Sequence, residues 1–262
     1  MSEAYSSVLI TGASGGIGAA LAQAIAAFDP DRMVLVGRRA EPMHTLAAQL
    51  DCPTEICIAD IATDSGRAGV LDQMHGIDLL VNCAGFGSFG PFDSADPDQQ
   101  RRMVEVNCVA PIVFTRAALP LMRKAGRGCI VNVASGMGYQ PMPFMSTYAA
   151  SKAFLLHWSE GITEELRGTG VRVVTVCPGT VHTGFGAAGN IPLSEMAGVP
   201  LVTVSLDAVI ASTMAAIQGR SDVTRPGLGN WVGTAVGRLA PRWFVRRVLG
   251  WAMGRDYRKL SG

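Results

Sequence analysis

The amino-acid sequence predicts an α/β fold: a doubly wound parallel sheet of about seven strands flanked by helices, in a single domain. Three observations predict it. Short, continuously apolar runs alternate with helical stretches along most of the 262 residues. A glycine-rich turn joins the first such run to the first helix. Finally, 48% of the residues are hydrophobic and only 16% charged, enough apolar surface for one large core. Strands apolar at every position, rather than at alternate ones, are buried on both faces, as in a parallel sheet.

In chain order, Ser7–Thr11 (SVLIT) reads as a strand, Gly12–Gly18 as a turn and Ile17–Phe28 as an alanine-rich helix. Arg32–Gly37 (RMVLVG) predicts the second strand. A helix near Pro42–Leu50 leads to a strand at Glu55–Ile58, and one near Asp64–Met74 to a strand at Ile77–Asn82. A long helical stretch from Asp98 precedes a strand at Cys129–Ala134, and a helix from about Thr147 precedes one at Val171–Cys177. Right-handed crossovers then wind helices onto both faces of the sheet. Between Gly179 and Val204 the chain is rich in Gly and Pro with weak helix or strand signals, which predicts a functional loop or lid. From about Ser221 the composition turns to Arg, Trp and Gly.

A net charge of +1 gives no chain-wide attraction to nucleic acid. The six cysteines form no C-x-x-C pair and no zinc-spaced cluster with histidine, so no metal site is expected. Their place in or beside apolar strands suits buried free thiols and a reducing compartment. The N-terminus lacks a basic, apolar leader pattern, and no run of about 18 apolar residues occurs, so a cytoplasmic location is expected.

Thr11-Gly12-Ala13-Ser14-Gly15-Gly16-Ile17-Gly18 closes the first strand and opens the first helix. Glycines there let the backbone approach a pyrophosphate, while the free N–H groups and helix dipole attract the anion. This is a Rossmann-type dinucleotide-binding turn by placement. The second strand ends at Gly37-Arg38-Arg39, with no acid before Glu41. An NAD site would hold the ribose 2′-hydroxyl with a carboxylate here; two guanidiniums suit a 2′-phosphate instead, so NADP(H) is favoured over NAD(H).

Tyr148 and Lys152 are four apart at a helix start and share a face. A nearby ammonium is expected to lower the phenol pKa from about 10 and make an acid/base pair. Ser135 ends the fifth strand, where ligands sit in open α/β sheets. Together with TGASGGIG at 11–18, Asp60, NCAG at 82–85, Asn107, YAASK at 148–152 and PGTVHT at 178–183, the chain resembles the short-chain dehydrogenase/reductase family, single-domain branch, over about Ser6 to Thr183. The resemblance implies that Tyr148 protonates a carbonyl, Lys152 holds the nicotinamide ribose and lowers the tyrosine pKa, Ser135 orients the carbonyl, and Asn107 supports a relay water. It further implies cofactor contacts from Gly12, Ser14, Gly15, Gly16, Ile17, Gly18, Arg38, Arg39, Asp60, Ile61, Asn82, Ala84, Gly85, Pro178, Gly179, Val181 and Thr183. Cys83 stands where the family often has a second Asn. A homodimer or homotetramer is implied as well. Residues 1–220 would then form the NAD(P)-binding catalytic domain and 221–262 an extension.

Phe86, Phe89, Phe92, Met137, Met142, Phe144, Met145, Phe185 and Met196 flank this site in sequence, and either line a cleft for a bulky apolar substrate or pack beneath loops. His157 and His182 are expected to be structural. The tail from Arg238 carries seven basic residues and one acid among Trp243, Phe244, Val248, Leu249 and Trp251. It is expected to pack on the domain or at an interface, with membrane-surface contact through residues 231–262 as the alternative. The expected function is NADP(H)-dependent interconversion of a carbonyl and a secondary alcohol. The alternatives are a membrane-peripheral reductase of lipid or acyl ketones and a non-catalytic nucleotide-binding regulator.

Overall fold

A computed structural model of the protein describes residues 5–188, 191, 202–219 and 221–261. Seven strands form one parallel sheet in the order β3-β2-β1-β4-β5-β6-β7. They are β1 (Ser7–Thr11), β2 (Arg32–Gly37), β3 (Thr54–Ile58), β4 (Leu79–Asn82), β5 (Gly128–Val133), β6 (Val171–Val176) and β7 (Val223–Thr224). The winding reverses between β1 and β4, the switch point where an open α/β sheet forms its crevice.

The helices are α1 (Gly16–Ala26), α2 (Ala40–Ala47), α3 (Asp64–Leu71), α4 (Pro97–Val104), α5 (Ala110–Ala125), α6 (Ser146–Glu165), α7 (Phe185–Ala188), α8 (Leu206–Ile217), α9 (Leu228–Leu239) and α10 (Arg242–Ser261). Adjacent strand residues point to opposite sheet faces and both faces are covered. Val8 and Ile10 pack with Leu21 and Ile25 of α1 and Val209 of α8. Leu9 packs on the other face with Val70 of α3 and Phe114 and Ala118 of α5. That double burial is why these strands carry no polar alternation.

Strand and helix ends lie within three residues of the sequence expectation. Thr63 Oγ1 accepts from Gly66 N at 3.0 Å and starts α3. Pro42 lies within the first turn of α2, which begins two residues earlier, where a missing N–H costs nothing. The helical stretch 97–125 contains a π-turn, Glu105–Val109. Its most apolar 18-residue window has a mean hydropathy of 1.3. Met103, Phe114 and Met122 are nevertheless buried in the protein's own core. The 179–204 segment contains α7 and a parallel bridge, Thr180 to Thr203. Residues 189, 190 and 192–201, including Met196, lie outside the described residues.

One expected cofactor residue proves to be a core residue. Asn82 is buried at the end of β4, where its Nδ2 donates to Asn132 Oδ1 at 2.8 Å on β5. Asn132 Nδ2 donates in turn to Ser159 Oγ at 2.8 Å on α6, and Ser159 donates to Leu155 O. This polar ladder pins the β4–β5–α6 layer. Replacing Asn132 by Ala removes two buried hydrogen bonds and leaves Asn82 Nδ2 only its long bond to Thr115 Oγ1, so urea unfolding should show a loss of about 1–3 kcal/mol.

Candidate active site

The crevice begins with backbone packed against backbone. A Cβ on Gly18 would lie 2.3 Å from Gly12 O, and one on Gly12 (φ 74°) 2.8 Å from Ala84 Cα. Neither position admits a side chain. Thr11 holds the opposite wall: its Oγ1 accepts from Cys83 N and Ala84 N, both at 3.1 Å, and donates to Val81 O. The first turn of α1 has no side-chain cap and no acid, so its N–H groups face the crevice unmatched.

A cavity of about 720 Å³ runs from this turn to the end of β5. Gly12, Ser14, Gly15, Gly16, Ile17, Gly18, Arg38, Arg39, Asp60, Ile61, Ala84 and Gly85 line one half. Ser135, Tyr148, Lys152, Pro178, Gly179, Val181 and Thr183 line the other. Asn82 and Asn107 do not line it. Asn107 sits in the π-turn, where Nδ2 donates to Phe86 O (3.0 Å) and Ser151 Oγ (2.9 Å) and Oδ1 accepts from Phe86 N. A Cβ on Gly85 would meet both Asn107 Oδ1 and Lys152 Nζ at 3.1 Å, so Asn107 backs the site through that glycine.

At the outer end Arg39 donates to Ser14 O at 3.2 Å, and Arg38 lies exposed at the rim. Burial pushes the Asp60 carboxyl up, but hydrogen bonds from Arg102 (2.6 Å) and Ala62 N, with the charges of Arg102 and Arg38, hold it below its ordinary value. Asp60 is therefore a fixed anion between two guanidiniums, Arg102 and Arg38.

At the inner end burial outweighs the charge effect expected from the sequence. The sequence reading has Lys152 acidifying Tyr148. Instead burial pushes the Tyr148 phenol up to about 12, opposed only by a hydrogen bond with Ser135. Burial drives the Lys152 amine down to about 8, opposed by Cys83, Cys108 and Cys177. Lys152 Nζ donates to Val133 O at 2.8 Å and lies 6.0 Å from the Tyr148 ring centre. Desolvation dominates both groups. The phenol is a firmly protonated donor at neutral pH.

Of the flanking apolar residues, Phe86, Met137, Met142, Met145 and Phe185 line the cavity, and the Phe185 and Tyr148 ring centres are 5.5 Å apart. Phe89 and Phe144 instead pack on Tyr257 of α10, and Phe92 is exposed. His157 and His182 are exposed away from the cavity. Sequence reasoning missed Gln140 and Thr180, Arg102 at the outer end, and Asn230, Gly233 and Thr234 of α9. Asn230 donates to Cys177 O (2.9 Å) and Pro226 O (3.1 Å), which locks α9 beside β6. The signal was legible: Asn230, Thr234 and Gly237 form a small, polar stripe on an otherwise apolar helix.

A glycine-cradled crevice with a Ser–Tyr–Lys set at its inner end defines a dinucleotide-dependent oxidoreductase by architecture. The short chain dehydrogenase family matches residues 6–191. The chain belongs to the short-chain dehydrogenase/reductase family of oxidoreductases. It is 31% identical over 255 residues to a ketoacyl reductase, HetN, of Nostoc sp., covering 90% of this chain and 88% of that one. A short-chain dehydrogenase from Sphingobium yanoikuyae, solved with NADPH, superposes with a TM-score of 0.79 at 29% identity over 95% of both chains. A bulky-bulky ketone specific alcohol dehydrogenase from Comamonas testosteroni gives 0.75 at 27% identity, covering 94% of this chain and 92% of the other.

The lowered Lys152 value has a measurable consequence. Below pH 8 the amine is charged both folded and unfolded, so folding bears its full desolvation cost. Between pH 8 and the unfolded value near 10.5 only the unfolded chain stays protonated, so this cost is relieved as pH rises. The melting temperature of the wild type relative to Lys152→Met should therefore shift in the wild type's favour from pH 7.5 to 10. A pH-independent difference would mean that the amine is not desolvated.

Proposed function

We propose that the protein is an NADP(H)-dependent carbonyl reductase acting on a medium-to-large apolar ketone, with Tyr148 as the acid. The observation that carries this reading is one continuous cavity. It joins a glycine cradle flanked by Arg38 and Arg39 to Ser135, Tyr148 and an apolar wall of Phe86, Met142, Met145 and Phe185.

The residues present fit the dinucleotide. Gly12 and Gly18 leave backbone access where any Cβ would collide. The α1 N–H groups suit a pyrophosphate, and the two arginines suit a 2′-phosphate. Thr180 Oγ1 lines the cavity, buried without a hydrogen-bond partner, which suits a polar ligand atom. The NADPH-bound Sphingobium relative and the ketone-specific Comamonas relative support the same choice of cofactor and substrate class.

When bound, NADPH supplies a hydride to the carbonyl carbon. Tyr148 then gives its phenolic proton to the carbonyl oxygen, and hydride plus proton make the secondary alcohol. Ser135, hydrogen-bonded to Tyr148, orients the carbonyl oxygen by a second donor. Lys152, which lines the same cavity, would hold the nicotinamide ribose, and its ammonium would be the source from which the phenol regains its proton. A homo-oligomer belongs to the same reading; Val104, Ile112 and Phe154 are apolar side chains exposed on α4, α5 and α6.

NADPH and NADH oxidation against a panel of bulky ketones tests the reading. Tyr148→Phe should lower kcat by about 10²–10⁴-fold while NADPH still binds by fluorescence. Wild-type turnover in the Phe variant would remove Tyr148 from the chemistry. Arg38→Asp should weaken NADPH by about 10–100-fold and leave NADH almost unchanged, since charge-assisted hydrogen bonds contribute about 1.5–3 kcal/mol. An unaltered cofactor ratio would sink the 2′-phosphate assignment.

A further inference from the structure

Helices α9 and α10 are apolar on two opposite sides. On α9, Asn230, Thr234 and Gly237 face inward and are buried, while Trp231, Val232, Val236 and Leu239 face out and are exposed. On α10, Val245, Met253 and Asp256 are buried, while Trp243, Phe244, Val248 and Trp251 are exposed, Trp251 at 65%. The 100° advance per residue puts each exposed set on one stripe, opposite the packed one. The inner stripe packs on the domain, and the outer stripe covers nothing among the described residues.

Charge decides what fits the outer stripe. Arg238, Arg242, Arg246 and Arg247 are exposed and form no ion pair among the described residues, and Arg255 stacks on Trp251 at 5.0 Å. Asp256, the one acid of the segment, is buried. A second copy meeting this face about a twofold axis would press arginine onto arginine with no carboxylate to answer. A lipid surface with anionic headgroups answers all of them. Tryptophan belongs at the headgroup boundary, and arginine stems lie along apolar surface while their heads stay with phosphate.

We propose that the outer face of α9 and α10 docks the protein onto anionic membrane, lying in the interface plane with its tryptophans inserted. Because Asn230, Gly233 and Thr234 on the inner side of α9 line the cavity, docking holds that cavity wall close to the bilayer, where apolar ketones partition; this corollary rests on the apolar-ketone reading, whereas the docking itself does not.

The test is flotation of the full-length protein with phosphatidylcholine vesicles, with or without about 30% phosphatidylglycerol. Binding should require phosphatidylglycerol and fall at least tenfold between about 0.05 and about 0.5 M salt. Two double variants, Arg246→Glu with Arg247→Glu and Trp243→Ser with Trp251→Ser, should each lose at least tenfold of the bound fraction. Both should keep wild-type NADPH binding and melting temperature. Absence of flotation with phosphatidylglycerol, or flotation that neither variant reduces, overturns the proposal. So does a lipid-free dimer, seen by light scattering, that the tryptophan variant dissociates. Failure of every ketone to turn over would leave the flotation result standing and remove only the corollary.

Discussion

Everything at the crevice depends on two backbones being allowed to touch. The Gly18 Cα sits against the Gly12 carbonyl, and Gly12 against the Ala84 backbone, at separations that no Cβ survives. This contact brings the start of α1 down onto the sheet at the switch point and leaves the uncapped N–H groups aimed outward. Thr11 completes it by holding Cys83 N and Ala84 N with one hydroxyl. The arrangement is steric first and electrostatic second: space for a pyrophosphate exists because side chains are missing, and only then can a helix dipole act on it.

The same economy of groups shapes the inner end. Burial opposes charge on Tyr148 and on Lys152 alike, raising one pKa and lowering the other. An acid/base pair is commonly pictured as an ammonium that makes a phenol acidic. Here the ammonium is turned to Val133 O, and the phenol keeps its proton. Burial accounts for the difference: both groups are desolvated, although the ammonium lies over the phenol ring at 6.0 Å from its centre.

Continuous apolar strands, alternating helices and the glycine turn were legible in the sequence because each is a local pattern, and all six longer strands lie where those patterns put them. The seventh, Val223–Thr224, is two residues long and carries no pattern at all. Ser135, Tyr148 and Lys152 meet in one cavity, as their positions at strand and helix ends implied. Asn82 did not, because whether a polar residue at a strand end turns inward to Asn132 or outward to a ligand is decided by the neighbouring strand, not by its own segment. Asn230 and Thr234 stayed hidden for a like reason: reading the tail for its apolar and basic residues passed over the small polar stripe that reaches the site.

The π-turn at Glu105–Val109 carries one residue more than an α-helix would fit in the same rise. That surplus works as a phase shifter. It turns everything downstream by about a quarter of a revolution relative to α4, so the stripe of α4 bearing Met103 and the stripe of α5 bearing Phe114 and Ala118 both reach the interior. Asn107 occupies the widened turn itself, where loosened backbone pairing lets an amide serve Phe86 and Ser151 at once. Removing a single residue there would rotate a whole helix out of step, and a length change, not a change of chemistry, would disconnect the wall behind Lys152.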